Sequence, residues 1–67
     1  MNIILNNNQE SFEGDRLTVN EILKAKKFSF KMLVIRINGK LVKKDEYDTA
    51  IVNDGDKLDV IHLVSGG

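Results

Sequence analysis

The stretch whose residue types most plainly suggest chemistry is Val64-Ser65-Gly66-Gly67, at the end of the sequence. Glycine lacks a Cβ, so a diglycine segment reaches backbone angles closed to other residues and can thread a narrow channel. Gly67 stands last, and its α-carboxylate is expected to be free. That is where a group would be placed if it had to be carried into another protein's active site. A frayed terminus is the simpler reading of any such end, so the decision falls to the other residues. His62 is the second chemical candidate. It has no Asp, Ser or Cys partner at a readable spacing, and a packed or half-exposed strand histidine is expected instead.

Composition narrows the function classes further. Sixty-seven residues make one domain, taken as 1–67 with a flexible tail at 64–67, and leave little room for a catalytic cleft. The chain has no cysteine and one histidine, which excludes a thiolate zinc site and an imidazole-rich metal site. Ten basic residues balance ten acidic ones, whereas nucleic-acid binding calls for a basic excess. No apolar run approaches the ~20 residues of a membrane span. Met1-Asn2-Ile3-Ile4-Leu5-Asn6 lacks the basic start of a secretory signal, so a cytoplasmic protein is the expectation. The five glycines fall at turns and at the end, and none belongs to a phosphate loop. An independent enzyme is therefore not expected.

The elements that must position the tail follow from periodicity. Met1, Ile3 and Leu5 alternate with Asn2, Ile4 and Asn6 and predict a first strand over residues 2–6. A polar turn at Asn7-Asn8-Gln9 leads into a short second strand at Glu10-Ser11-Phe12-Glu13, closed by Gly14-Asp15. Thr18 and Glu21 have the spacing of a capping box. They start a helix from Val19 to Lys26 or Lys27, with Val19, Ile22 and Leu23 on its apolar face. Leu33 to Ile37 form a third strand, and Asn38-Gly39 is a strong two-residue hairpin turn returning through Lys40-Leu41-Val42. Tyr47 packs against the domain edge. Asn53-Asp54-Gly55-Asp56 turns the chain into a last strand, Lys57 to about Val64.

In that last strand, Leu58 and Val60 are assigned to the core because Lys57 and Asp59 cannot comfortably be buried beside them. Ile61 and Leu63 then point outward, just ahead of the tail. Ile4 and Val34 occupy outward positions on the strands expected to flank it. Together these four predict an exposed apolar docking patch. Two hairpins, one further strand and one helix close a two-layer α+β structure. The first and last strands lie side by side in the middle of a mixed sheet of about five strands, with the helix packed on one face. This is the ubiquitin-like β-grasp arrangement.

On Ile37-Asn38-Gly39-Lys40-Leu41-Val42, Asp45-Glu46-Tyr47, Asn53-Asp54-Gly55-Asp56 and the ending Val60-Ile61-His62-Leu63-Val64-Ser65-Gly66-Gly67, the chain resembles the ThiS family, the ubiquitin-like sulfur carriers of thiamine (thiazole) biosynthesis. The resemblance runs the length of the chain and is strongest from Ile35 onward. It implies a carrier and not an enzyme. A ThiF-type adenylating enzyme would use ATP to activate the Gly67 carboxyl, and a cysteine persulfide would supply sulfur to give a thiocarboxylate. Thiazole synthase (ThiG) would receive that sulfur. Gly66, Ser65 and Val64 would form the slim approach to the reactive end, and the chain itself would bind no cofactor. Ser65 before the glycines also suits MoaD, the small subunit of molybdopterin synthase, although such chains tend to be longer between helix and third strand. A ubiquitin-like modifier and a plain β-grasp interaction module are the other readings.

Overall fold

The computed structural model describes residues 1–28 and 32–63. The chain begins with strand β1 (Asn2–Leu5), which pairs antiparallel with β2 (Asn8–Ser11). Between them Asn6 and Asn7 both have positive φ, 50° and 68°, and Leu5 sits opposite Asn8. The turn therefore lies one residue earlier than the expected Asn7-Asn8-Gln9, and β2 precedes the expected 10–13. The physical reason is that two successive asparagines tolerate left-handed angles, which is what a mirror-image two-residue hairpin turn requires.

Strand β3 (Arg16–Thr18) leads directly into helix α1 (Val19–Ala25). The capping box forms as the spacing predicts. The Glu21 amide donates to Thr18 Oγ1 at 3.1 Å, and the Thr18 amide donates to Glu21 Oε1 at 2.9 Å. Seven residues are too few for a helix to persist alone. Packing holds it, since Val19, Ile22 and Leu23 are all buried. The helix ends at Ala25, one or two residues short of expectation, with Lys27 at φ 57° just beyond it.

Strand β4 (Leu33–Ile37) turns at Asn38-Gly39 into β5 (Lys40–Val42), as expected. A short 3-10 turn at Lys44–Glu46 follows, then β6 (Ile51–Asn53) and β7 (Lys57–His62). The five-stranded sheet has the order β2-β1-β7-β4-β5. Within it β7 runs parallel to β1 and antiparallel to β4, so the first and last strands are central neighbours. The mixed sheet with one helix on one face is the ubiquitin-like β-grasp fold.

A second, two-stranded sheet joins β3 to β6, and the sequence reading did not anticipate it. Both strands are three residues long, too short for alternation to register. Its function in the fold is to carry the chain over the helix end: Val52 is fully buried, and the Val19 amide donates to Ala50 O at 3.0 Å.

The core lies between α1 and one face of the sheet. Ile3 and Leu5 from β1, Ile35 from β4, Val42 from β5, and Leu58 and Val60 from β7 meet the helix residues there. Tyr47 packs against this cluster at the edge. No described helix is long and apolar enough to cross a membrane.

Candidate functional site

The site is built on β7, and the phase of that strand decides what it presents. Leu58 and Val60 are buried, which turns Lys57, Asp59 and Ile61 to the opposite, helix-free face. Burying the alternative set would strand two charges in the core. Leu63 continues the pairing just past the strand, its amide donating to Met32 O at 3.0 Å. Ile61 and Leu63 are 42% and 43% exposed, too open for core residues.

Pairing registers fix the rest of this face. Val34 on β4 sits directly opposite Ile61 and is half-buried, less open than an outward position suggests. Met32 precedes Leu33 in the alternation and is 54% exposed, on the side of Leu63. Leu41, 62% exposed, lies opposite Arg36, which in turn lies opposite Asp59. Met32, Val34, Ile61 and Leu63 thus form one apolar cluster at the C-terminal end of β7, with Leu41 one row further on.

Ile4 shares the face and is exposed, but its register partner is Lys57. Ile61 lies four positions further along β7 than that row, about 13 Å at the usual strand rise, with the Arg36–Asp59 row between. Ile4 lines a separate open groove of about 300 Å³ with Asn2, Gln9 and Asp54. The structure therefore brings together three of the four expected patch residues and sets Ile4 apart from them. Sequence reasoning missed Met32 and Leu41. Both were accessible from the alternation through Leu33 and from the register of the Asn38-Gly39 turn.

His62 is exposed at the end of β7. It borders a shallow cavity of about 190 Å³ with Asn6, Phe28, Leu33 and Val60. Asn6 helps shape this end of the strand: its Oδ1 accepts from the Val60 amide at 2.8 Å, extending the β1–β7 contact past the end of β1. Among the described residues no group of His, Cys, Asp and Glu could hold a metal ion. Val64, Ser65, Gly66 and Gly67 lie outside the described residues.

These features belong to a strand that presents an apolar face and is followed in the sequence by Gly66-Gly67. The sequence profile of the ThiS family matches residues 3–67. The chain belongs to the ThiS family. Its fold agrees with the crystal structure of the thiamine biosynthesis protein ThiS from Geobacter metallireducens, with a TM-score of 0.87 and 28% identity over the whole of both chains. An NMR structure of a thiamine biosynthesis protein from the same organism gives 0.79 at 28% identity, covering all of this chain and 88% of that one. A curated relative, thiazole synthase from Paramagnetospirillum magneticum, is 28% identical over 67 residues. This ThiS-family chain matches along its full length but spans only about one fifth of that relative.

Proposed function

We propose that this chain is a sulfur carrier for thiazole formation in thiamine biosynthesis, and that its reactive group is the Gly67 carboxyl. The observation that carries this reading is the ThiS-family match, which extends through Gly66-Gly67 to residue 67. A carboxylate is a poor acyl donor until one of its oxygens becomes part of a good leaving group. A ThiF-type enzyme supplies that change: a Gly67 carboxylate oxygen attacks the α-phosphorus of ATP, and pyrophosphate leaves. A persulfide sulfur, derived from cysteine, then attacks the acyl carbon, and AMP departs. Reduction of the remaining sulfur–sulfur bond by a thiol leaves the thiocarboxylate. The chain acts as a substrate of its partners in this scheme and binds no cofactor of its own.

The apolar cluster of Met32, Val34, Ile61 and Leu63 is the surface we assign to partner docking. It lies at the C-terminal end of β7, a few residues before Gly66-Gly67 in the sequence, so a partner seated on it would hold the tail close to its own active site. The likeness to part of a thiazole synthase favours thiazole synthase as the sulfur acceptor over a molybdopterin pathway.

The test is the intact mass of the protein after incubation with a ThiF-type enzyme, ATP and a sulfur source. Addition of AMP, or exchange of one oxygen for sulfur at Gly67, is the expected result. A version with one residue added after Gly67 should remain unmodified. Adenylation of that extended version would overturn the assignment of Gly67.

A further inference from the structure

Asn38-Gly39 is the one Asn-Gly pair in the sequence, and it does more than reverse the chain. Both residues have positive φ, 50° and 86°. The Asn38 side chain reaches across to the beginning of β7: its Nδ2 donates to Asp56 Oδ1 at 3.0 Å, and its Oδ1 accepts from the Lys57 amide at 2.9 Å. The Asn38 amide donates to Lys57 O at 2.8 Å. Asp56 is itself anchored, its Oδ2 accepting from the Asn53 amide at 2.8 Å. One exposed asparagine thus clamps the β4–β5 turn to the start of β7.

An asparagine followed by glycine is also the pair most open to attack by its own backbone. Gly39 has no side chain to shield its amide nitrogen from the preceding residue, and the space where a Cβ would stand is open, with nothing within 4 Å. We propose that Asn38 is a site of spontaneous deamidation that the Asp56–Lys57 clamp holds in check. In the reaction the Gly39 amide gives up its proton to hydroxide, and its nitrogen forms a bond to Asn38 Cγ. The Cγ–Nδ2 bond breaks, Nδ2 takes up a proton and leaves as ammonia, and a five-membered succinimide remains. Water then opens either carbonyl of that ring to leave Asp or iso-Asp. No oxidant or reductant is involved.

The clamp opposes the first step because both amide atoms of Asn38 are engaged on the β7 side. Attack requires Cγ to turn back toward its own main chain. Once formed, the product cannot restore the clamp. The Nδ2 donor has become a carboxylate facing the Asp56 carboxylate, and like charges at that spacing repel. Iso-Asp also inserts an extra main-chain carbon into a two-residue turn, where register depends on turn length. Modification therefore loosens the start of β7.

The experiment incubates the full-length chain in mildly alkaline buffer and follows Asp and iso-Asp at position 38 by peptide mapping. A free Ile-Asn-Gly-Lys peptide is the reference. The wild-type chain should react at least about tenfold more slowly than the peptide. Asp56→Ala should accelerate it about tenfold, the equivalent of about 1.4 kcal/mol and in keeping with one lost bond to a charged acceptor. Asp54→Ala removes a different bond in the same turn, from the Asn2 amide, and Thr18→Ala removes the distant helix cap. Both should leave the rate within about twofold, the scatter of non-additive effects between separated sites.

A wild-type rate equal to the peptide's overturns the proposal, as does an unaltered rate in Asp56→Ala. Equal acceleration by all three variants overturns it too, since the route would then be global unfolding. Should Asp56→Ala fail to fold, exchange of the Asn38 side-chain amide protons in the wild type decides. They should exchange more slowly than those of Asn7, and equal exchange rejects the clamp.

Discussion

Ile61→Asp separates folding from the partner docking we propose for β7. Ile61 faces away from the core and is 42% exposed, so aspartate there buries no new charge in the free protein. The cost to the fold is the lost cross-strand contact with Val34 and a poorer strand former, together about 1–2 kcal/mol. Docking is affected more. At that exposure an isoleucine leaves roughly 75 Å² open to a partner, and at ~25 cal/mol per Å² its burial contributes about 2 kcal/mol, or about thirtyfold in affinity. Any desolvation of the new carboxylate adds to this. Steady-state adenylation by a ThiF-type enzyme should show KM for the variant carrier raised by about thirtyfold or more, with kcat nearly kept, because the interaction is equally present before and during chemistry. Far-UV circular dichroism should match the parent. Ile4→Asp is the internal control: it is similarly exposed on the same face, at 39%, but lies a strand-length away beside Lys57 and should change KM little. An unaltered KM for Ile61→Asp would refute the docking face. Lost dichroism would show that Ile61 supports the fold.

Three further outcomes follow from the packing. Thr18→Ala deletes one half of the capping box and should cost about 1 kcal/mol, lowering Tm by about 4–8 °C in a domain of this size; an unchanged melting curve would mean the cap is redundant. Leu58→Ala opens a cavity at a fully buried position and should cost about 2–5 kcal/mol, a large share of the stability of so small a domain. Urea titration should show a lower midpoint, and parent-like stability would contradict the core assignment. Burial pushes the Tyr47 phenol above its ordinary value of 10.0, so the folded state holds its proton more tightly than the unfolded one. Its contribution is fully present below that ordinary value and is lost as pH rises through the folded one. Stability measured above pH 10.0 should therefore fall more steeply in the parent than in Tyr47→Phe.

Where the sequence was legible, several signals agreed on one answer. Thr18 and Glu21 marked the helix start because a capping box is local and satisfies its own donors. Leu58 and Val60 fixed the phase of β7 because the other phase would have buried Lys57 and Asp59. Asn38-Gly39 set the register of β4 and β5, although the outward position of Leu41 that follows from it was not drawn. The misread parts share a different character. The β1–β2 turn slipped by one residue because a run of three asparagines offers several equivalent places for positive φ. The β3–β6 sheet escaped because three-residue strands carry no periodicity of their own, and its partners are more than thirty positions apart. Outward direction alone did not place Ile4. Which residues share a row depends on the β1–β7 register, a parallel pairing that no hairpin turn specifies.

That register explains why one strand can serve both stability and contact. β7 has neighbours on both sides, so its inward residues and its ladder bonds hold the position of its outward ones. Ile61 is set by Val34 across the β4 ladder, and Leu63 by its amide bond to Met32 O. The apolar cluster is therefore presented on the central strand of the sheet, which leaves little ordering to be done if a partner docks there. Past Val64 the sequence changes to Ser65-Gly66-Gly67, residues with small side chains or none, suited to a confined approach. In the carrier we propose, a rigid face for recognition and a slim segment for delivery would place opposite demands on a backbone. They are met here within seven residues of one another, from Ile61 to Gly67, by a change in composition at the edge of the core.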